Sequence, residues 1–383
     1  MTIRVERFSG AAGVLALAPA WRALAAQILH KRHFHHAEWY LALAETLEKH
    51  GLPPLHCIAV FSTDALVAVF PYRQDRLQLG PHSLRLMKLV SDQGEGETAR
   101  DFVMAPTLAQ GNFFQGFVKY LAQHDQSWDI ISLHGILEDS FAATALQNSP
   151  QLAFFQTPGG ALDRGRIYCI SCGDSDRPLE RISKVFKKNL RKAHNRTKSK
   201  NVTFAVARTE EDLKRFLPEF LKVESSGWKG ELGTSALKDA ATNTFVQQLI
   251  AQFGPKGECE LHLMRIGDEA VAALFGIVTD DVWYMFRIGY DETFDRASPG
   301  HLIIENLLNG RSTHPSFSVI TPYNAPVWFE AWKPDRILNI YNSYVFRPSP
   351  EGIKLARQIE EFVRGLNVPI TVPVKSEQEN AGG

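Results

Sequence analysis

The residues best suited to hold an anion are Arg296-Ala297-Ser298-Pro299-Gly300-His301. They sit inside Asp281–Gly310, a run that reads as strand, loop and helix. Val282–Tyr290 is aromatic and β-branched, as strands are. Asp291–Pro299 carries Asp, Thr, Ser and Pro and reads as a loop. Gly300–Asn309 places Leu302, Ile303, Leu307 and Leu308 at helical spacing, with Gly310 as the stop. The first N–H groups of a helix have no partner within it, and the macrodipole favours negative charge there. Arg296 adds a planar fork of donors suited to phosphate. The expectation is that main-chain amides at this turn hold the pyrophosphate of a coenzyme.

Two other clusters point to less. His33, His35 and His36 lie close together, but only Glu38 accompanies them at ligand spacing. Adjacent His35 and His36 diverge on a helix, so a polar helix start is expected there and no metal. Cys169 and Cys172 have C-x-x-C spacing with no second pair at zinc-finger distance. Together with Cys57 and Cys259 they are expected to be reduced thiols, the latter two buried in strands.

Composition bounds the rest. The 383 residues allow two domains, and 44% apolar content with 22% charge predicts packed cores. Lys+Arg and Asp+Glu both number 42, which argues against a surface built for DNA. MTIRVERFSG has no apolar segment of signal-peptide type, and no run reaches the ~20 residues of a membrane span. A cytoplasmic protein is expected, with peripheral contact at the inner face of the membrane left open.

The elements that must position these residues follow from periodicity. Ala18–Ile28, Ala37–Lys49, Glu210–Glu224 and Leu237–Phe253 read as helices. Leu179–His194 reads as one more, inside a stretch, Arg181–Lys200, with nine Lys and Arg and no acid. Leu55–Phe61 with Leu66–Arg73, and Glu260–Arg265 with Ala270–Val278, read as hairpins. Leu66-Val-Ala-Val-Phe70 matches Val271-Ala-Ala-Leu-Phe275 at an offset of 205, which predicts an internal duplication. The expected divisions are 1–170, 171–370 and a loose tail at 371–383.

This order of elements resembles the GNAT acyltransferase fold. The strings that carry the likeness are VFKKNLRKAHNR (185–196), ESSGWKGELGTSAL (224–237), AVAALFGI (270–277), GYDETFDRASPG (289–300) and AW (331–332). Weaker likeness lies at FHHAEWYLAL (34–43) and FPYR (70–73). Together they resemble the branch named after cellulose-biosynthesis acetyltransferases, which is similar to the Fem peptidyltransferases. The resemblance implies a mixed α/β sheet fold in two GNAT-like domains, the second holding the donor site. It implies acyl-CoA as co-substrate, an amine acceptor and no metal, or an aminoacyl-tRNA donor as in the Fem branch. The family's phosphate turn is Q/R-x-x-G-x-G/A; here it has one added residue and a single Gly.

Acyl transfer from a thioester to an amine needs a base for the amine, a donor for the oxyanion and a proton for the thiolate. Glu224 is expected to be the base, or else a solvated helix-end carboxylate. Trp228 is expected to wall an acyl chain or acceptor, and Lys229 to hold a phosphate or carboxylate unless it is simply exposed. Tyr290 is expected to protonate the thiolate or donate to the oxyanion, and Asp291 to act beside it or cap the loop. His301, kept neutral by the helix dipole, can accept a proton or be structural. Tyr323, Asn324 and Trp332 are expected to touch the acceptor. The basic helix suits CoA, tRNA or an anionic membrane surface.

The function so implied is transfer of an acyl group, long-chain fatty acyl included, from acyl-CoA to the amine of a lipid or envelope-saccharide precursor. Some relatives in this branch resemble bacterial ceramide synthases, which acylate a sphingoid base. The alternatives are Fem-like transfer from tRNA, held by Lys187, Lys188, Arg191 and Lys192, and a non-catalytic partner in polysaccharide assembly.

Overall fold

The computed structural model describes residues 3–365 apart from 80–81, 91–98, 110, 159–164, 174 and 311–316. Residues 91–98 of the acidic loop that the sequence suggests over Ser91–Asp101, the Gly-Gly turn at 159–160 and the tail at 371–383 lie outside the described residues.

The chain begins β1 (Ile3–Ser9), α1 (Gly10–Ala25), α2 (Ala37–Lys49), β2 (His56–Ser62), β3 (Ala65–Leu79), β4 (His82–Leu89) and β5 (Val103–Met104). It continues with α3 (Pro106–Ala109), α4 (Phe113–His124), β6 (Ile130–Leu137), α5 (Phe141–Gln147), β7 (Phe154–Pro158) and β8 (Arg166–Ser171). Next come α6 (Pro178–Arg181), α7 (Lys184–Thr197), β9 (Val202–Ala207), α8 (Glu210–Glu224), α9 (Trp228–Glu231) and α10 (Ala240–Phe253). The last elements are β10 (Cys259–Ile266), β11 (Glu269–Thr279), β12 (Val282–Tyr290), α11 (Pro299–Gly310), β13 (Val319–Thr321), β14 (Arg336–Phe346) and α12 (Pro350–Gly365).

Two compact units form, and neither is continuous in sequence. The first takes Met1–Ile28, Pro53–Arg166 and Leu338–Gly383; the second takes Leu29–Leu52 and Ile167–Ile337. A cut at 170/171 therefore misses two crossings of the chain. The first is that of α2, whose Trp39, Tyr40, Leu43 and Leu47 are all buried and which packs on α10. The second is that of β14, which pairs with β6 and β7.

In the first unit the sheet runs β1-β2-β3-β4-β6-β14, antiparallel except for the parallel pair β4/β6. In the second it runs β9-β10-β11-β12-β13-β8, antiparallel except for the parallel pair β12/β13. The two orders match strand for strand, which supports duplication. The hairpins match at an offset of 204, not 205. Each has a two-residue turn, and each has a bulge, at Val60/Phe61 in one and at Met264/Arg265 in the other. The apolar strings could not set this register because Ala68–Tyr72 of β3 and Val271–Thr279 of β11 are buried on both faces; turn and bulge set it.

Side-chain caps mark the starts of α5, α7, α8 and α10. The expected helix 179–194 is broken because Ser183 adopts extended backbone and its Oγ accepts from Phe186 N–H, starting α7 afresh. Thr209 caps α8 through Asp212 N–H, ahead of an acidic first turn that complements the dipole. Asp239 accepts from the amides of Ala241 and Thr242, so α10 starts at Ala240 rather than Leu237. Asp239→Ala should cost about 1 kcal/mol in a urea titration. An unchanged midpoint would show that the cap contributes nothing. α1 starts at Gly10 rather than Ala18 and carries Pro19 inside it.

Candidate active site

β12 and β13 are paired only from Val282 to Tyr284; β13 then ends at Thr321 while β12 runs on to Tyr290. Where they part, a cleft of about 350 Å³ opens in the second unit, within the range of ligand pockets. β12 contributes Ile288, Gly289 and Tyr290, and the start of α11 contributes Ser298, Gly300 and His301. The end of α8 and α9 contribute Glu224, Gly227, Trp228 and Lys229; Glu292, Asp295 and Trp328 complete the wall. In the first unit a small apolar pocket of about 10 Å³ lies over β2 and β3, lined by Phe102, Phe113, Phe114 and Phe117 among others.

Beyond Tyr284, the strand edge facing the cleft pairs with no strand among the described residues. Lys229 Nζ donates to the carbonyl of Ile288 at 2.7 Å. In an extended strand the N–H and C=O of one residue share an edge, so the Ile288 amide points the same way. Asp291 N–H, three residues on, donates to Val271 of β11 on the opposite edge, which fixes this parity. A bulge at Phe286 lets Phe286 pack on Phe245 of α10 while the next residue, Arg287, reaches α8.

The helix tip also faces the cleft. Ser298 takes left-handed backbone (φ 50°) and its carbonyl accepts from His301 and Leu302. Pro299 has no N–H, and the Gly300 N–H has no partner among the described residues. Any side chain at Gly300 would press on the Tyr290 ring, since a Cβ there lies 3.2 Å from Cδ1. The expected cradle thus narrows to the Gly300 amide flanked by Ser298 and His301. Arg296 is exposed and offers its carbonyl to Arg196, while Ala297 and Pro299 are buried, so none of the three lines the cleft. Asp291 caps the turn after β12 by accepting from Thr293 N and Oγ1.

Glu224 is 1% exposed and fully engaged. Oε1 accepts from Arg287 Nε at 2.6 Å and Lys229 Nζ at 3.3 Å; Oε2 accepts from Ala236 N–H at 2.7 Å. A general base needs a lone pair free to meet substrate, and here both oxygens are committed. The expectation of a catalytic base at Glu224 gives way to a clamp joining α8, α9 and β12. Gly289 permits it, because a Cβ there would lie 2.5 Å from Glu224 Cα. Burial, partly opposed by Glu224, lowers the Lys229 ammonium to about 8. Lys229 holds a carbonyl and a carboxylate of the chain itself, not an open phosphate site.

His301 and Tyr290 remain free for chemistry. Burial lowers the His301 pKa, and its Nδ1 is buried with no partner. The ring stands edge-on to Phe186 at 5.0 Å and lies 5.9 Å from Trp332. Burial, then Asp295 and Glu292, raise the Tyr290 phenol. Trp332 is buried behind His301 rather than on the cleft. Tyr323, also at left-handed φ, turns into an aromatic cluster 4.9 Å from Tyr284 and 5.1 Å from His33. The Asn324 carbonyl accepts from Tyr168, and neither Tyr323 nor Asn324 lines the cleft. His33 stacks on Tyr284 at 4.1 Å; among the described residues no three His, Cys, Asp or Glu could hold a metal ion.

Residues 184–310 match the family model of the acetyltransferase (GNAT) domain. The chain carries a GNAT acyltransferase domain. Every cleft wall except Trp328 falls inside the GNAT domain. FemX shares the fold with a TM-score of 0.53 and 12% identity, over 89% of this chain and 98% of its own. A conserved protein of unknown function from Bacteroides thetaiotaomicron gives 0.50 and 11%, over 87% and 97%. Both alignments extend well beyond the GNAT match, so the likeness covers both units: the fold is a tandem of GNAT-like units. A tandem GNAT protein from the clavulanic acid biosynthesis pathway aligns at 0.47 and 10%, over 91% and 99%. No curated protein matches the sequence.

Sequence reasoning passed over Arg287, Glu292, Asp295 and Trp328. Arg287 had a readable signal: a charge inside the aromatic strand VWYMFRIGY must find a partner when buried. Trp328 had none, since AW at 331–332 drew attention to its neighbour.

Proposed function

We propose that the GNAT domain transfers an acyl group from acyl-CoA to an amine. The observation that carries this reading is that a free strand edge, Ile288–Tyr290, and a helix N-terminus, at Gly300, open on one cleft. The edge suits a thioester carbonyl and the tip suits a diphosphate. As the amine nitrogen bonds to the carbonyl carbon, Ile288 N–H donates to the forming oxyanion. Neutral His301 takes the amine proton. The C–S bond then breaks and the thiolate takes a proton from Tyr290, whose raised pKa keeps it protonated at neutral pH. Solvent returns the proton from His301 to Tyr290.

Asp295 and Glu292 on the cleft wall favour an acceptor that arrives as an ammonium and gives up one proton to solvent before its nitrogen attacks. Trp228, 56% exposed, and Leu232, 70% exposed, give the rim an apolar character that supports a long acyl chain. An amine on a lipid, a sphingoid base included, fits both features, as does one on an envelope-saccharide precursor. Trp228→Ala should raise KM for long-chain acyl-CoA, leave kcat unchanged and leave the melting temperature in place. Equal KM for wild type and variant would remove Trp228 from the donor path. Aminoacyl-tRNA as donor is the second reading, supported by the acid-free segment 181–200. Calorimetry with a series of acyl-CoAs, followed by thiol release with an amine panel, tests the first reading. Failure to bind any acyl-CoA overturns it.

A further inference from the structure

The geometry points to a second site: the groove bordered by α6, α7 and α11 docks the headgroup and first acyl carbons of an anionic phospholipid at a membrane surface. The groove encloses about 460 Å³ and shares no residue with the catalytic cleft. Its floor is Leu179, Ile182 and Leu190; its cationic wall is Lys184, Lys187 and Arg191. These three are spaced by three and four residues, which sets them on one stripe of α7. The wall is poorly compensated. Glu305, the acid that α11 supplies, is already taken by His194 at 2.7 Å. Lys187 donates only to the Glu180 carbonyl, and Lys184 and Arg191 have no carboxylate partner among the described residues. The chain as a whole has zero net charge, so this surplus is local.

Charge alone would suit any polyanion, and the apolar surface decides among them. A phosphodiester meets the cations while the attached alkyl carbons meet the floor. Val185, 70% exposed on the same helix and next to Lys184 in the chain, adds apolar area that a membrane surface could cover. A nucleic acid would use the cations but leave the floor empty, and the aromatic ring that lines the groove, His194, is already held by Glu305. No described helix is long and apolar enough to cross a membrane, so contact would be peripheral. The inference stands on the groove and not on the acyl-transfer reading.

The test is co-sedimentation of the full chain with phosphatidylcholine vesicles, with and without phosphatidylglycerol. Binding is expected only with the anionic lipid and is expected to be lost in high salt. The triple variant Lys184→Gln, Lys187→Gln, Arg191→Gln should bind on the order of a hundredfold more weakly, as ~1 kcal/mol per cation near the surface implies. Its melting curve should match wild type, because these side chains lie at the surface. Val185→Ser should weaken vesicle binding without changing its salt dependence. Equal binding to neutral and anionic vesicles overturns the proposal, as does full binding by the triple variant. Titration with inorganic phosphate and with tRNA completes the set. Variant-sensitive binding of either one, without vesicle binding, reassigns the groove and overturns the lipid reading.

Discussion

Glu224→Ala is expected to cost about 3–5 kcal/mol, because it leaves Arg287 and Lys229 in a buried site without their carboxylate. For a protein of this size that is a fall in melting temperature of about 5 °C. Glu224→Gln should be milder, since an amide oxygen can still accept from Ala236 N–H. Truncating both partners, Glu224→Ala with Arg287→Leu, should recover part of the loss, because the stranded cation goes with it. Thermal melts of wild type, Glu224→Ala, Arg287→Leu and the double variant form the cycle. A Glu224→Gln protein that melts like wild type and has lost its turnover would return Glu224 to the role of base and sink the clamp.

His301→Gln is expected to lower kcat/KM by about 10²–10³, the usual worth of a positioned base. The pH profile separates catalysis from packing. The folded-state pKa of His301 lies below its ordinary value, so the ring is neutral at pH 7 and gains its proton only on the acid side. Wild-type kcat/KM should therefore fall as pH drops through that lowered pKa, and the variant should lack this limb. Stability follows the same sign. The unfolded chain binds the proton at higher pH than the folded one, so folding weakens as pH falls below about 6.5. Rates must thus be compared where the melting curve shows the protein intact. A variant that keeps the acidic limb would move the base elsewhere in the cleft.

What could be read without coordinates was what local chemistry dictates. Val282–Tyr290 and Glu210–Glu224 carry their boundaries in aromatic runs, caps and turn residues, and both fold to those limits. The facing of Tyr290, Ser298, Gly300 and His301 onto one cleft follows from the strand–turn–helix order they share. The partners of Glu224 were not legible: Arg287 is 63 residues away, and its direction depends on a bulge that β-propensity does not announce. Tyr323 and Asn324 were assigned by nearness to the end of β13, and Trp332 by the resemblance carried by AW at 331–332. Their rings and carbonyl are instead used in packing and pairing, which sequence distance does not record. The break at Ser183 was missed because the apolar stripe continues across it.

The sixth strand of each sheet has an unequal history during synthesis. β8, which completes the second sheet, is made before the five strands it joins, whereas β14 is made after the five strands it joins. The catalytic half can thus close as soon as Ile337 has emerged. The amino-terminal half must wait with Ile130–Leu137 unpaired along one edge until the carboxyl-terminal segment arrives, and Arg347 then fastens to the carbonyls of Ala122, Asp125 and Trp128. A nascent chain stalled just past Ile337 would hold a finished enzyme centre beside an exposed, sticky edge, the state most prone to aggregation.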